Sequence, residues 1–272
     1  MRQFLKIAII AISTCLIILV LSGDSQGADG VTVNQESGVA YREGLEQFNA
    51  MNYDEALILF EEAYRLDQRN INALFARGLA LVRLGKHSEA AEILREVLSR
   101  DEHFEKAHQL LPVALANAGD IEGALAAYDS GIELVGDNTS LALGKAVLLT
   151  KIDRHDDAVK VLEQANERDP DRTEILEKLA YAYREAGDFE SAFVTSQNIL
   201  AQVPDHALAL VITGDYYRFG GEYSEALDAY RKAENDIETK AYAEHYIEEI
   251  NRILEELEIE REFEARMNAT NE

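Results

Sequence analysis

A chain of 272 residues with 51 acidic against 26 basic side chains carries a net charge near -25. That charge repels nucleic acid and anionic lipid surfaces and disfavours both as direct partners. A single cysteine excludes a disulfide-stapled scaffold, because a lone thiol has no bridge partner within the chain.

The first element is a leader. Arg2 and Lys6 precede an apolar run from Ile7 to Leu21, and the small, polar stretch from Ser22 to Gly27 follows it. That order is the order of a secretory signal peptide, with cleavage near Gly27 or Ser22. The alternative is an uncleaved anchor, since Phe4 to Leu21 approaches the ~17-residue lower limit of a spanning helix. On either reading basic residues lead the run and almost none follow it closely, which places the remaining chain outside the cytoplasm. The expected location is periplasmic or secreted, or anchored in the inner membrane with the rest outside. Cys15 has Thr14 before it and apolar Leu16 to Leu21 after it, an unsuitable setting for lipidation. Residues 1–27 are therefore assigned as leader or anchor, and 28–36 as a linker.

From residue 37 to 238 the chain repeats itself. Ala56, Ala90, Ala124, Ala158, Ala192 and Ala226 fall 34 residues apart without a slip, and such a period marks a repeat architecture. With the alanine numbered position 20, six units start at Ser37, Ile71, Glu105, Thr139, Thr173 and Ala207. Position 8 is Gly44, Gly78, Pro112, Ala146, Ala180 and Gly214, small in all units but the third. Position 24 is Phe60, Leu94, Tyr128, Leu162, Ser196 and Tyr230, and Pro170 and Pro204 hold position 32 in two units. Each unit has two apolar runs at helical spacing. Turn pairs such as Gly85-Lys86, Gly119-Asp120, Asp153-Arg154 and Gly187-Asp188 separate them. These offsets resemble the tetratricopeptide repeat, a helix–turn–helix unit. The resemblance implies an all-α, right-handed α-solenoid of six repeats, stable only through its neighbours.

The same resemblance implies where partners bind. Its inner surface is lined by the first helix of each unit, at positions 5, 9, 12 and 13. In this sequence those positions give the candidate partner-binding residues Tyr41, Leu45, Phe48, Phe75, Leu79, Val82, Arg83, Val113, Leu143, Val147, Tyr181 and Arg184. The first, second and fourth units offer an apolar strip there; the fifth and sixth, with Glu177, Glu185, Asp215 and Arg218, are polar and mixed in charge. The family's chaperone-tail clamp needs Lys and Asn at positions 5 and 9 of its first unit. Tyr41 and Leu45 stand there, so that function does not transfer.

Two features depart from the pattern. Pro112 falls where a regular helix loses a backbone bond, at a cost of about 3 kcal/mol, and reads as drift relieved by a local bend or as a kink shaping the surface. His87 and His155 occupy position 17, where other units carry Tyr53, Ile121, Phe189 and Tyr223, and read as packing substitutes. The last stretch, 239–272, carries a stripe of Tyr242, Tyr246, Ile250, Ile253 and Leu257 at helical spacing. Glu248 stands where a seventh unit needs a small residue. An acidic capping helix follows from that, with an acidic recruitment tail as the alternative.

Chemistry is mostly missing. Gly144-Lys145 lacks the flanking residues of a phosphate loop. His103 and His108 are five apart, about 140° around a helix, and cannot share a zinc face. No catalytic constellation, metal site or cofactor is expected. The sequence reading is a non-enzymatic scaffold of the bacterial periplasm or cell envelope, acting in secretion, pilus or envelope assembly. It holds a peptide or helix of a protein partner in a concave groove. The alternative is a self-assembling structural repeat protein, a homo-oligomer.

Overall fold

The computed structural model describes residues 35–136, 138–170 and 172–270, so the leader assigned to 1–27 lies outside the described residues. Within them the chain is all-α and contains no strand. The helices are α1 (Gln35–Asn49), α2 (Tyr53–Leu66), α3 (Ile71–Arg83), α4 (His87–Arg100), α5 (Glu105–Ala118), α6 (Ile121–Val135) and α7 (Thr139–Lys151). Then come α8 (His155–Arg168), α9 (Thr173–Ala186), α10 (Phe189–Gln202), α11 (Ala207–Gly220), α12 (Tyr223–Ala233) and α13 (Lys240–Thr270). The second helices start at Tyr53, His87, Ile121, His155, Phe189 and Tyr223, again 34 residues apart. This is the helix–turn–helix solenoid that the period implies. Helix α1 begins at Gln35, so the end of the stretch 28–36 is helical.

The chain divides between Lys145 and Ala146, within α7, into two compact units. In the first, each helix from α1 to α6 packs on the next, and α3 also touches α5. In the second, α8 through α13 pack in the same successive manner, and α9 touches α11.

The repeat constants have visible causes. Ala56, Ala90, Ala124, Ala158, Ala192 and Ala226 are all fully buried. Position 8 is small because position 24 of the same repeat lies on it. A Cβ added at Gly44 would sit 2.6 Å from the Phe60 ring, and one at Gly214 would sit 2.7 Å from the Tyr230 ring. The third unit solves this differently. Pro112 fills position 8 inside α5, which continues to Ala118, and the Tyr128 hydroxyl lies against Gly144 of α7, where a Cβ would be 2.7 Å away.

The turn inside each unit closes through a left-handed residue at position 15. Gly85, Gly119, Gly187 and Gly221 take φ of 75°, 90°, 83° and 77°, while Met51 and Asp153 adopt 64° and 60° with a side chain attached. Side-chain caps begin several helices: Asn70 accepts from Ala73 N, Asp120 from Gly123 N and Asp188 from Ser191 N. Each satisfies a donor that the helix itself leaves open. Asn70 also donates to Ser37 Oγ at 2.9 Å, and Ser37 donates to the Ala63 carbonyl at 2.7 Å. A buried polar chain thus ties the first three helices together.

Candidate binding site

In the first unit, the strip expected to face solvent is largely packed. Phe48, Phe75, Leu79 and Val82 are 4%, 6%, 2% and 8% exposed, and Leu143 is also buried. The Phe75 ring lies 5.2 Å from Phe104, which sits just before α5. These side chains are core, and the open apolar strip does not run through them. Helix α3 explains why. Nine of its 13 residues are buried, so it is apolar nearly all round. Tyr41, Leu45, Arg83 and Val113 remain half-buried and reach the surface. Tyr41 leans on Phe60 with ring centroids 5.9 Å apart, and burial pushes its hydroxyl above the ordinary tyrosine range. The Arg83 guanidinium lies 5.9 Å from the centre of the Phe48 ring and 6.0 Å from that of Tyr53.

In the second unit the equivalent positions hold a charged cluster. Asp215 of α11 is buried. Its carboxylate accepts from the Tyr230 hydroxyl at 2.6 Å and from the Tyr242 hydroxyl at 2.9 Å. Arg184 of α9 donates to it at 3.4 Å and to Glu185 at 2.8 Å. The Arg184 guanidinium also lies 4.9 Å from the Tyr181 ring centre. Arg218 donates to the Tyr230 hydroxyl at 3.3 Å and stacks 4.2 Å from the ring centres of both Phe219 and Tyr246. Burial raises Asp215 above the usual carboxylate range, against the pull of Arg184, the two tyrosine hydroxyls and Arg218. Burial first, and the facing carboxylate second, raise Tyr230 and Tyr242. Tyr181 and Arg184 are brought together here as a half-buried pair, whereas Val147 stands half-buried on α7.

Sequence reasoning placed Asp215 in a polar stretch and Tyr242 on a capping stripe, and missed that they bond. A signal existed. Tyr230 at position 24 must lie on Gly214, so its hydroxyl has to find a partner next to that glycine, and Asp215 is the neighbour.

Of the histidines, His108, His87 and His155 sit within the packing. His108 is buried and its ring Nε2 lies 2.7 Å from the Glu102 carbonyl, while His103 is exposed. His87 and His155 are half-buried, each with a buried Nδ1 that no hydrogen bond satisfies. Helix α13 joins the second unit through Ala243 and Ile250, with Tyr242, Tyr246 and Ile247 against the same core. Further along it, Ile259, Phe263 and Met267 are exposed. Among the described residues no helix is long and apolar enough to cross a membrane.

Known proteins share this pattern. Two tetratricopeptide repeat models match residues 115–181 and 178–242, and a bacterial transcriptional activator domain model matches residues 23–147. The BBSome complex member BBS4 of Bos taurus is 28% identical over 181 residues, 66% of this chain and 34% of its own. Anaphase-promoting complex subunit 7 of Homo sapiens is 26% identical over 188 residues, covering 69% of this chain and 33% of its own. The chain thus spans about a third of the length of these curated relatives. Among solved structures, PilW, a widely conserved type IV pilus biogenesis factor, superposes with a TM-score of 0.60 at 18% identity, covering 77% of this chain and 99% of PilW. YrrB, a TPR protein with an unusual peptide-binding site, gives 0.56 at 18% identity, covering 69% of this chain and 96% of YrrB. With six in-phase units, the left-handed turn at position 15 in every one and two repeat models meeting end to end, the chain belongs to the tetratricopeptide repeat family.

Proposed function

We propose that this chain is a non-enzymatic protein-binding scaffold that holds a peptide or helix of a partner against the first helices of its repeats. The observation that carries this reading is the first-helix face of the first unit. There Tyr41, Leu45, Arg83 and Val113 stay half-buried beside a fully packed core. Half-buried apolar side chains next to a rigid core provide a preformed docking surface, which lowers the ordering cost of binding. Peptide binding in YrrB and pilus biogenesis in PilW are properties of those proteins; they make a peptide-holding role in an exported assembly the natural reading for this fold. The leader at 1–27, released or retained as an anchor, puts that role in the periplasm or cell envelope.

The test is affinity capture from native envelope extract, comparing wild type with the double variant Leu45→Gln, Val113→Thr. A protein retained by wild type and lost by the variant, with an unchanged helical circular dichroism spectrum, is the expected result. Identical capture lists would overturn the assignment of this face. N-terminal sequencing of the mature chain decides between a cleaved leader and an anchor.

Self-assembly is the second reading, favoured by exposed Ile259, Phe263 and Met267 on the far part of α13. Scattering mass that rises with concentration, and returns to one chain when Phe263→Ser is introduced, would support it.

A further inference from the structure

Arg83 ends α3 in a setting unlike that of the other half-buried arginines of the first helices. Arg184 and Arg218 are held by Asp215, Glu185 and Tyr230. Arg77 is paired with Glu61 at 3.1 Å. Arg83 has no ion pair among the described residues, and its buried Nε has no hydrogen-bond acceptor. Its contacts are the ring faces of Phe48 and Tyr53, at 5.9 and 6.0 Å. In a chain with 51 acidic side chains, a half-buried guanidinium without a carboxylate is the exception that needs a cause.

The chemistry narrows the cause. Aromatic faces attract a cation but leave the N–H edges of the guanidinium unsatisfied. That plane presents parallel donors, the arrangement that takes a carboxylate by two bonds. Phosphate fits less well, since recognition of phosphorylated motifs relies on clustered arginines, and the net charge of this chain repels a dianion more than a monoanion. On α1, Tyr41, Leu45 and Phe48 follow one another at spacings of four and three, so they share the helix face from which Phe48 reaches Arg83. Apolar surface therefore borders the cation.

We propose that Arg83 is the anion anchor of the first unit, receiving an acidic side chain of a partner peptide with an apolar neighbour packed beside it. The proposal deepens the scaffold reading and rests on it. Phe48 and Tyr53 hold the guanidinium in place, so the side chain is ordered before the ligand arrives. The incoming carboxylate meets the terminal Nη edge of the guanidinium, since Nε itself is buried. Long-range repulsion by the acidic surface makes the contact selective, because only a ligand that reaches this cation gains from its own negative charge.

The experiment follows the Arg83 Nε–Hε resonance of the full chain by NMR, assigned by its absence in Arg83→Lys. The probes are the acetylated, amidated dipeptide Phe-Glu, the same dipeptide as Phe-Gln, and inorganic phosphate, each titrated to millimolar concentration. The Glu probe is expected to move this resonance saturably, with affinity at least about tenfold above the Gln probe and above phosphate. Arg83→Gln, checked for intact helical signal, should lose that preference. Equal binding of the Glu and Gln probes overturns the anchor and leaves the scaffold reading standing. No movement with the Glu probe overturns the anchor as well, while loss of partner capture in the Leu45→Gln, Val113→Thr variant remains the separate measure of the scaffold. A stronger response to phosphate overturns the carboxylate assignment. A resonance already displaced without probe, and relaxed by Asp24→Asn with Asp29→Asn, would make the chain's own leading segment the occupant and overturn the partner. A displacement that vanishes on dilution would make a second copy the occupant, with the same consequence.

Discussion

The two units use the same positions of the same repeat for opposite kinds of interior. In the first, positions 5, 9 and 12 of α3 are Phe75, Leu79 and Val82, all buried. In the second, position 12 of α9 is Arg184, and positions 9 and 12 of α11 are Asp215 and Arg218. Hydroxyls from Tyr230 and Tyr242 complete that cluster. The repeat backbone dictates where these side chains sit and is indifferent to whether the space is filled by hydrocarbon or by charge. Hydrocarbon needs only volume, whereas charge must find every partner. That demand explains why α13 begins with a tyrosine-bearing face over the Asp215 cluster.

The sharpest way to break this contrast is to put charge where the first unit keeps hydrocarbon. Phe75→Asp with Leu79→Asp introduces two carboxylates at 6% and 2% exposure with no cation placed for them. A loss of about 4 kcal/mol or more is expected, enough to unfold the unit. Loss of helical circular dichroism at 25 °C or collapse of the urea midpoint checks it; a native spectrum would mean that this face is more open than its burial indicates.

In the second unit, removing an acceptor is the corresponding insult. Asp215→Asn keeps the volume but replaces one of the two oxygens that accept from Tyr230, Tyr242 and Arg184 with a donor, and about 1–3 kcal/mol should be lost at neutral pH. The pH dependence has a definite sign. The folded state holds the Asp215 proton more tightly than the unfolded chain does, because burial raises this group. Between the ordinary carboxylate value and the raised one, the folded state therefore binds more protons. The stability advantage of wild type over Asp215→Asn should grow as pH falls through that window and be smallest above it. Urea denaturation of both proteins across the acidic range measures this, and an advantage that shrinks on acidification would contradict the burial argument.

Much of the architecture could be read from the sequence, and the reasons are local. A 34-residue period, small residues at position 8 and turn glycines follow from helix packing and backbone sterics, which act the same way in every unit. The candidate site was less legible because exposure is a property of neighbours. Nothing in Phe75 or Leu79 announces that Phe104 and the surrounding helices cover α3. The bond between Asp215 and Tyr242 spans 27 residues and joins a repeat helix to one outside the array, so the period gives no register for it. Gly144 shows the same limit. It lies at position 6, where the other units carry Arg42, Ala76, Leu110, Lys178 and Ile212, and only the displaced Tyr128 explains it.

Gly144 offers a smaller test within the first unit. In Gly144→Ala the new methyl would stand 2.7 Å from the Tyr128 hydroxyl and 2.9 Å from its ring. Relief requires Tyr128, itself buried, to move, and overpacking of this kind costs about 1–3 kcal/mol. Pairing it with Tyr128→Leu should recover part of the loss, because the two sites share one contact. Additive losses would show that Gly144 is glycine for another reason.

The smallest effect separates backbone from packing altogether. Position 15 is left-handed in all six units, yet Met51 and Asp153 adopt it with φ of 64° and 60°. An L-residue there costs about 1–2 kcal/mol, of which glycine avoids most while losing more chain entropy on folding. Met51 is 74% exposed, so its side chain contributes little packing to offset the strain. Met51→Gly should therefore raise stability by about 0.5–1 kcal/mol, read as a higher urea midpoint at unchanged slope. Asp153→Gly should give less, because His155 Nε2 lies 3.8 Å from the Asp153 carboxylate and the substitution removes that contact. A destabilised Met51→Gly would mean that the thioether chain packs in solution and that side-chain contact, not backbone sterics, selects the residue at this turn.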